Sequence, residues 1–307
     1  MGIRSNPLLK VLLYPIIFVA KFIGRNFPET LVRIRYFVRF RRFLNLKKPQ
    51  TLNEKILYMS FRGDTSQWTR LADKYNVRGY IEECGLSDIL VPFYGYWTNA
   101  ADIDFNTLPK SFVFKTVQGC GDIIIVKDKN NIDKTSIISK LQKSIDAKYG
   151  ELEGGKHYMR IPSAAIAEGV LINDINSSKH SSSIIDYKIW CFNGKPHFIM
   201  VCSNRTKTNT ELMIYDLAWN MHPEFMNFNI HYKRGSYIPK PDNFEKMLSI
   251  AEKLSAPFPV VRVDLYNLDG KIYFGEMTFT SLGGLMNYYT DEFQCLAGKM
   301  IDVNYKG

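Results

Sequence analysis

The chain is 307 residues long, 46% hydrophobic and 14% aromatic, enough apolar material for one large or two modest globular units and too much for a disordered chain. Its formal net charge of +10 lies in residues 1–50, which hold 11 Lys/Arg and a single acid, Glu29, while the other 257 residues carry 29 bases and 29 acids. That segregation excludes a broad basic nucleic-acid groove in the body and points to a dedicated basic N-terminal element whose partner is an anionic membrane surface.

In chain order, the apolar stretch 8–20 covers 13 residues, includes Lys10 and Pro15, and falls short of the ~20 residues that a spanning helix needs. The "AKFIG" after it offers no small-x-small cleavage site. Residues 32–48, "VRIRYFVRFRRFLNLKK", read as a helix with Arg35, Arg39 and Arg42 at i, i+4 and i+7 beside Val32, Tyr36, Phe40 and Phe43. Such a helix can lie on anionic lipid, or dock on the body with its arginines in solvent. Thr51 and Glu54 form a capping box before a short helix. Ser66 caps a second, in which Trp68, Leu71, Ala72 and Tyr75 recur at helical spacing up to Gly85; Lys74 and Arg78 sit on it.

A Pro/Gly/aromatic stretch then leads to a strand at 112–115, a glycine-rich turn, a strand at 123–126 and an amphipathic helix at 135–149. A Ser-rich interval, 173–183, reads as a loop. The hairpin that follows turns at Asn193-Gly194. Asp242 and Glu245 form another capping box, opening a helix to Ser255 before the hairpin at 258–280. Strands joined by hairpins with helices between them give an α+β class with antiparallel sheets. Cys84, Cys120, Cys191, Cys202 and Cys295 are widely spaced, without C-x-x-C or zinc spacing, and read as reduced thiols.

Two stretches carry chemistry. In "RVDLYNLDGKIYFGEMT" (262–278), a two-residue Asp269-Gly270 loop would put Asp264 and Glu276 on opposite faces. A three-residue loop, Leu268 to Gly270, pairs Arg262 with Glu276. It gathers Arg262, Asp264, Glu276 and Thr278 on one face, with Tyr266, Ile272 and Phe274 further along. That face is either a hard-cation site, since Mg²⁺ is commonly held by one or two carboxylates plus substrate phosphates, or a structural Arg262–Glu276 ion pair. In "FVFKTVQGCGDIIIVKD" (112–128), the turn Gln118-Gly119-Cys120-Gly121-Asp122 offers backbone N–H groups to phosphate oxygens, and Lys115 precedes it on the incoming strand.

In order along the chain, Lys74, Lys115 before the glycine loop, "AAIAEGVLI" ending a strand at Glu168, and the late D…E-x-T hairpin resemble the ATP-grasp ligases. "TLNEKIL", "LADKYNVRGY", "DYKIWCFNGKP" and "FPVVRVDLYNLDGKIYFGEMTF" are similar to the TupA-like branch, of teichuronopeptide biosynthesis, over residues 49–290. The resemblance implies an ATP-grasp fold in which two α+β subdomains close on ATP. Its expected layout is a basic N-terminal segment (1–50), a helical region (51–110), a small subdomain (111–168) and a large subdomain (169–307).

It further implies an ATP- and Mg²⁺-dependent ligase joining an amine to a sugar-acid carboxylate of a surface polysaccharide, at the inner face of the plasma membrane. Lys74 and Lys115 would contact phosphates, and Gly119, Cys120 and Gly121 would form the lid. Glu168, Gly169, Val170 and Leu171 would form the adenine hinge, with Asp174 on the ribose. Asp264, Glu276 and Thr278 would hold the metal and Arg262 would stabilise developing charge, with Lys188 a further catalytic candidate for phosphate or carboxylate contacts. Thr278 stands where the superfamily usually has Asn, and Gln118 and Cys120 depart from the branch's H-G-S-G loop. Two other readings use the same chain: a metal-dependent glycosyltransferase built on the D-x-D of Asp102 and Asp104, and a sugar kinase built on the same ATP clamp.

Overall fold

The computed structural model describes residues 7–119, 121 and 123–307, with side chains from Tyr14 onward. The chain opens with two helices, α1 (Pro7–Asn26) and α2 (Pro28–Phe40), which pack on each other. α2 ends where Arg41 turns left-handed (φ 55°). Three helices follow, α3 (Leu52–Arg62), α4 (Ser66–Ala72) and α5 (Asn76–Glu83). The Thr51/Glu54 capping box forms as expected, each side chain serving the other's backbone N–H, a device that contributes about 1 kcal/mol. Thr65, not Ser66, precedes α4, and Asn243, not Asp242, precedes α8 (Phe244–Ser255); neither cap makes a side-chain hydrogen bond.

The strands form two sheets. The small one has the order β1-β4-β2-β3, from Phe93–Trp97 (β1), Phe112–Thr116 (β2), Ile123–Val126 (β3) and Ala165–Glu168 (β4). Helix α6 (Lys134–Asp146) lays Ile137, Leu141 and Ile145 over Phe112 and Phe114 of this sheet, and a one-turn helix, α7 (Lys156–Met159), follows it. The interval 51–110 holds the expected helices, α3 to α5, which pack on the large subdomain, while the Pro/Gly/aromatic stretch after them supplies β1, an edge strand of the small sheet.

The large sheet has the order β10-β9-β5-β6-β7-β8. Its strands are β5 (Asp186–Phe192), β6 (Lys195–Ser203), β7 (Thr210–Tyr215), β8 (Tyr232–Arg234), β9 (Val260–Leu268) and β10 (Lys271–Thr278). All neighbours are antiparallel except β7 and β8, a three-residue parallel pair, so the sheet is mixed and not purely antiparallel. The β5–β6 hairpin turns on Asn193 and Gly194, both at positive φ, which is the geometry that Asn-Gly favours. β5 is buried along its whole length. Alternation sends Tyr187, Ile189 and Cys191 towards the α8 side, where the Cys191 thiol lies against the Ala251 carbonyl. Asp186, Lys188 and Trp190 therefore face the other way.

The basic N-terminal helices are not a free arm. Val32 and Tyr36 of α2 are buried with Leu57 and Leu285, Arg42 forms a bidentate pair with Asp291, and Arg35 donates to the Leu152 carbonyl. Arg25 of α1 pairs with Glu151. Arg35 and Arg42, which face lipid on one reading of the segment and solvent on the other, thus join Arg25 in fastening it to both halves of the body.

Candidate active site

The β9–β10 hairpin corrects the expected register. Asp269 (φ 51°) and Gly270 (φ 75°) make a two-residue loop, and Leu268 pairs with Lys271, Tyr266 with Tyr273 and Leu265 with Phe274. Asp-Gly is among the strongest signals for this tight turn, so it prevails over the three-residue loop. The carboxylates still meet, because a β-bulge at Gly275 adds one residue to β10 and restores the pairing of Asp264 with Glu276 and of Arg262 with Thr278. Glycine is required there: a Cβ would stand 2.9 Å from the Asp264 carbonyl oxygen. Tyr266 keeps the expected face, but Ile272 and Phe274 lie on the opposite one, in the core with Leu265 and Met277.

The gathered oxygens converge on one nitrogen. Arg262 Nη2 donates to Asp264 Oδ2 (2.8 Å), Glu276 Oε1 (3.2 Å) and Thr278 Oγ1 (3.1 Å), while its Nε donates to Asp264 Oδ1 (2.7 Å) and its Nη1 to Ser281 (2.7 Å). The guanidinium lies 5.9 Å from the centre of the Trp190 ring. The Arg262–Glu276 ion pair therefore exists as one edge of a larger network, and every nitrogen of Arg262 is engaged. Its stabilising influence reaches the site through Asp264 and Glu276.

On β5, beside Asp264 in register, Lys188 is buried and bridges Asp264 and Asp186, 2.7 Å from the latter. Burial opposes its charge, but the two carboxylates outweigh burial and hold it above the ordinary lysine range. Arg205 reaches Asp186 from outside (3.1 Å). Three cations, Arg262, Lys188 and Arg205, thus face three carboxylates, Asp186, Asp264 and Glu276. Partial desolvation on the cleft wall pushes against ionisation of Glu276, yet Lys188, Arg262 and Lys74 hold its carboxyl down at about 2.

Opposite this wall stands the glycine-rich turn of the small sheet, leaving a cleft of about 180 Å³ lined by Lys74, Lys115, Gly119, Gly121, Glu276 and Lys188 among others. Lys74 is not helical: α4 stops at Ala72, and Lys74 sits in the turn before α5, its ammonium on the Gly119 carbonyl (2.5 Å). Lys115 pairs with Glu168 (2.7 Å), which Arg78 also reaches (3.3 Å). Gly121 is at φ 86°, a conformation natural to glycine; Cys120 and Asp122 lie outside the described residues. Gln118 is buried at the root of the loop, donating to the Ser144 carbonyl and accepting from Ala164 N–H. It anchors the loop and does not face the cleft.

Gly169 follows Glu168 with its N–H on the Pro92 carbonyl (2.9 Å), and Val170 and Leu171 continue at the edge, half-buried. Asp174 is not brought to the cleft. It accepts from Ser177, Asn176 and Asp269 N–H groups and lines a separate surface cavity with Asn243 and Asn267. Asp102 and Asp104 are exposed at turns beyond the small sheet, with Ile103 buried between them in its core. Sequence reasoning missed Asp186, Arg78 and Gly275. The D-x-K spacing of Asp186 and Lys188 places both on one face and could have found the first, whereas nothing local signals the bulge.

The donor set suits a hard cation. Two carboxylates and a hydroxyl converge within 2.8–3.2 Å of a single point now held by a guanidinium nitrogen, and the Glu276 side chain remains 41% exposed on the cleft wall. That matches the habit of Mg²⁺, few protein ligands with phosphate oxygens completing the shell. Among the described residues no group of three or more His, Cys, Asp or Glu forms a cage that would hold a metal alone.

Residues 53–302 match the family model described as TupA-like ATPgrasp. Among solved structures, the chain is similar to a D-alanine–D-alanine ligase from Bacillus anthracis, at 16% identity over 76% of this chain and 64% of that one, with a TM-score of 0.42. It is also similar to an L-amino acid ligase from Bacillus licheniformis, at 14% identity over 87% and 56%, with a TM-score of 0.42. The chain thus spans under two thirds of the length of either ligase. No curated protein matches it.

Proposed function

The chain belongs to the TupA-like ATP-grasp family, and from that premise we propose that it is an ATP- and Mg²⁺-dependent ligase joining an amino-acid or peptide amine to a uronic-acid carboxylate of a surface polysaccharide. A carboxylate oxygen takes the γ-phosphoryl group as ADP leaves; the amine nitrogen then bonds to the acyl carbon, and phosphate departs with the oxygen it gained. ATP, acid and amine become ADP, phosphate and amide; the nitrogen keeps one proton as the amide N–H and gives up the rest to phosphate and solvent. Bound Mg²⁺ would supply charge neutralisation at the phosphoryl oxygens, with Asp264, Glu276 and Thr278 as its ligands.

The observation that carries this reading is the facing of two surfaces across one cleft: converged oxygens on β9 and β10, and Lys74, Lys115 and the glycine turn opposite. Lysines and backbone N–H groups stabilise charge that develops on phosphoryl oxygens, and such preorganised donors act strongly where water is excluded. No side-chain nucleophile is required, so Asp264 and Glu276 need only be ionised at neutral pH: Glu276 is held at about 2, and Asp264, which burial lifts to about 6 against the pull of Arg262 and Lys188, still lies below 7.

Mg-ATP at 100 times its dissociation constant should stabilise the protein by about 2.7 kcal/mol, and Glu276→Ala should abolish that shift. With hydroxylamine as the amine and a uronic acid as the acid, the ligase should release a hydroxamate, whereas a kinase acting on a sugar hydroxyl would not. Stabilisation by UDP-sugars alone, surviving Glu276→Ala, would sink the reading in favour of the glycosyltransferase.

We also infer that α1 and the outer side of α2 rest on the cytoplasmic leaflet of the plasma membrane. Ile16, Phe18, Phe22, Val38 and Phe43 are exposed, as are Arg41, Lys47 and Lys48, a combination that favours anionic lipid interfaces. Among the described residues no helix is long and apolar enough to cross a membrane. Phe18→Ser/Phe22→Ser should weaken binding to phosphatidylglycerol vesicles without changing ATP affinity; equal vesicle binding would refute the inference.

A further inference from the structure

A second cavity, of about 310 Å³, adjoins the cleft and shares Lys74, Gly119 and Glu276 with it. Its far wall comes from α2, which lies outside the residues matched by the family model: Arg35 and Arg39, one helical turn apart, line it. The lining holds four cations, Arg35, Arg39, Lys74 and Arg262, against two carboxylates, Glu153 and Glu276.

The two α2 arginines differ from their neighbours in how they are held. Arg25, Arg33 and Arg42 are each paired with a carboxylate. Arg35 instead donates to the Leu152 carbonyl (2.6 Å), and Arg39 to the Leu285 carbonyl (3.1 Å) and the Asn287 amide oxygen (3.4 Å). Neutral acceptors fix the guanidinium groups in place without cancelling their charge. Burial and the adjacent Arg39 lower the proton affinity of Arg35, against the pull of Glu153, so an anion arriving there relieves repulsion between the two. Between the cationic ends, Tyr149 and Tyr158 supply ring surfaces and Thr278, Thr280 and Ser281 supply hydroxyls, a lining suited to a sugar ring.

We propose that this cavity seats the acid substrate, and that the substrate is a uronic-acid oligomer with one carboxylate at the Lys74 end, where the cavity opens on the cleft, and a second, unreacted carboxylate bound by Arg35 and Arg39. The proposal rests on the ligase reading above and adds the requirement for two negative charges. It also gives the N-terminal helices two working sides: exposed apolar residues outward, and arginines turned into the cavity.

The test measures calorimetric binding of trigalacturonate, galacturonate and neutral maltotriose to the full chain in the presence of Mg²⁺ and a non-hydrolysable ATP analogue. Wild type should bind trigalacturonate about tenfold more tightly than galacturonate, and maltotriose not at all. Arg35→Gln/Arg39→Gln should erase the preference for the oligomer while leaving affinity for the ATP analogue unchanged. Because that variant removes two fastenings of α2, Glu153→Gln provides a second arm: it deletes the competing acid and should tighten trigalacturonate. An undiminished preference in the double variant, weaker binding in Glu153→Gln, or wild type that binds neither acid while still binding the ATP analogue would overturn this proposal alone. Failure of the ATP analogue to bind wild type would overturn the ligase reading beneath it.

Discussion

Replacing Lys188 with Met removes the cation that bridges Asp186 and Asp264 while keeping most of the buried stem. The cluster is formally neutral in the wild type, three cations against three carboxylates; in the variant it carries one net negative charge, and both acids are at most 3% exposed. Removing one partner of a buried ion pair costs about 3–5 kcal/mol. Arg205 still holds Asp186 and Arg262 still holds Asp264, so about 3 kcal/mol, the low end, is the expected loss at pH 7, read by urea unfolding. The sign of the pH response also follows. Burial already lifts Asp264 to about 6 in the wild type, and losing Lys188, which pulls it down, raises it further above its unfolded value. The folded variant then gains stability relative to the unfolded chain as pH falls from 7 towards 5. Adding Asp186→Asn restores neutrality and should recover most of the loss. A Lys188→Met variant within 1 kcal/mol of wild type, or one that Asp186→Asn does not rescue, would refute the account of a charge-balanced buried cluster.

Two further outcomes follow from single residues. His157, in the short helix Lys156–Met159, is fully buried against Trp68 and Thr280, and burial, with Arg160, lowers its pKa to about 3. The unfolded chain binds a proton near pH 6.5 that the folded one refuses, so stability is full above 6.5 and falls by about 1.4 kcal/mol per pH unit below it. His157→Gln should flatten the stability profile between pH 6.5 and 5, and an unchanged slope would show that the histidine is not held neutral. Gly275→Ala forces a Cβ to 2.9 Å from the Asp264 carbonyl oxygen, a backbone atom that cannot swing away. It should cost about 1–3 kcal/mol and lower Mg-ATP affinity, because the bulge that aligns Glu276 with Asp264 must open.

How far the sequence could be read is best judged on the β9–β10 hairpin. The residue types and their common face were legible, because arginine, two carboxylates and threonine are costly to bury unless they answer one another. The register was not. Turn chemistry at Asp269-Gly270 and the need to gather Asp264 and Glu276 on one face conflict on a regular ladder, where only a longer loop reconciles them. The chain keeps the tight turn and inserts Gly275, a solution that depends on contact between two strands and leaves no mark on either alone. Lys74 shows the same limit, since the apolar spacing of Trp68, Leu71, Ala72 and Tyr75 runs straight through the break at Asp73. There the backbone leaves the helix so that Lys74 N–H can bond the Val117 carbonyl and its ammonium can reach Gly119.

The N-terminal segment carries the same reasoning one step further. Charge counting correctly isolates residues 1–50 as the source of the basic excess, but a count cannot tell an arginine facing lipid from one facing a cavity. α2 divides its arginines by helical phase. Arg33 shares Glu29 with Arg62, and Arg42, just past the end of the helix, is bound to Asp291, so these fasten the segment. Arg35 and Arg39, pinned by neutral carbonyls, retain charge for something else. Tyr36, fully buried between them in sequence, fixes that phase: rotating α2 enough to aim both arginines at a membrane would expose its ring and empty the space beside Leu57 and Leu285. Tyr36→Ala should therefore damage more than the 3–5 kcal/mol typical of an emptied aromatic site. It should also abolish any preference for the acidic trimer, and a variant that lost stability yet kept that preference would separate the cavity from the helix proposed to build it.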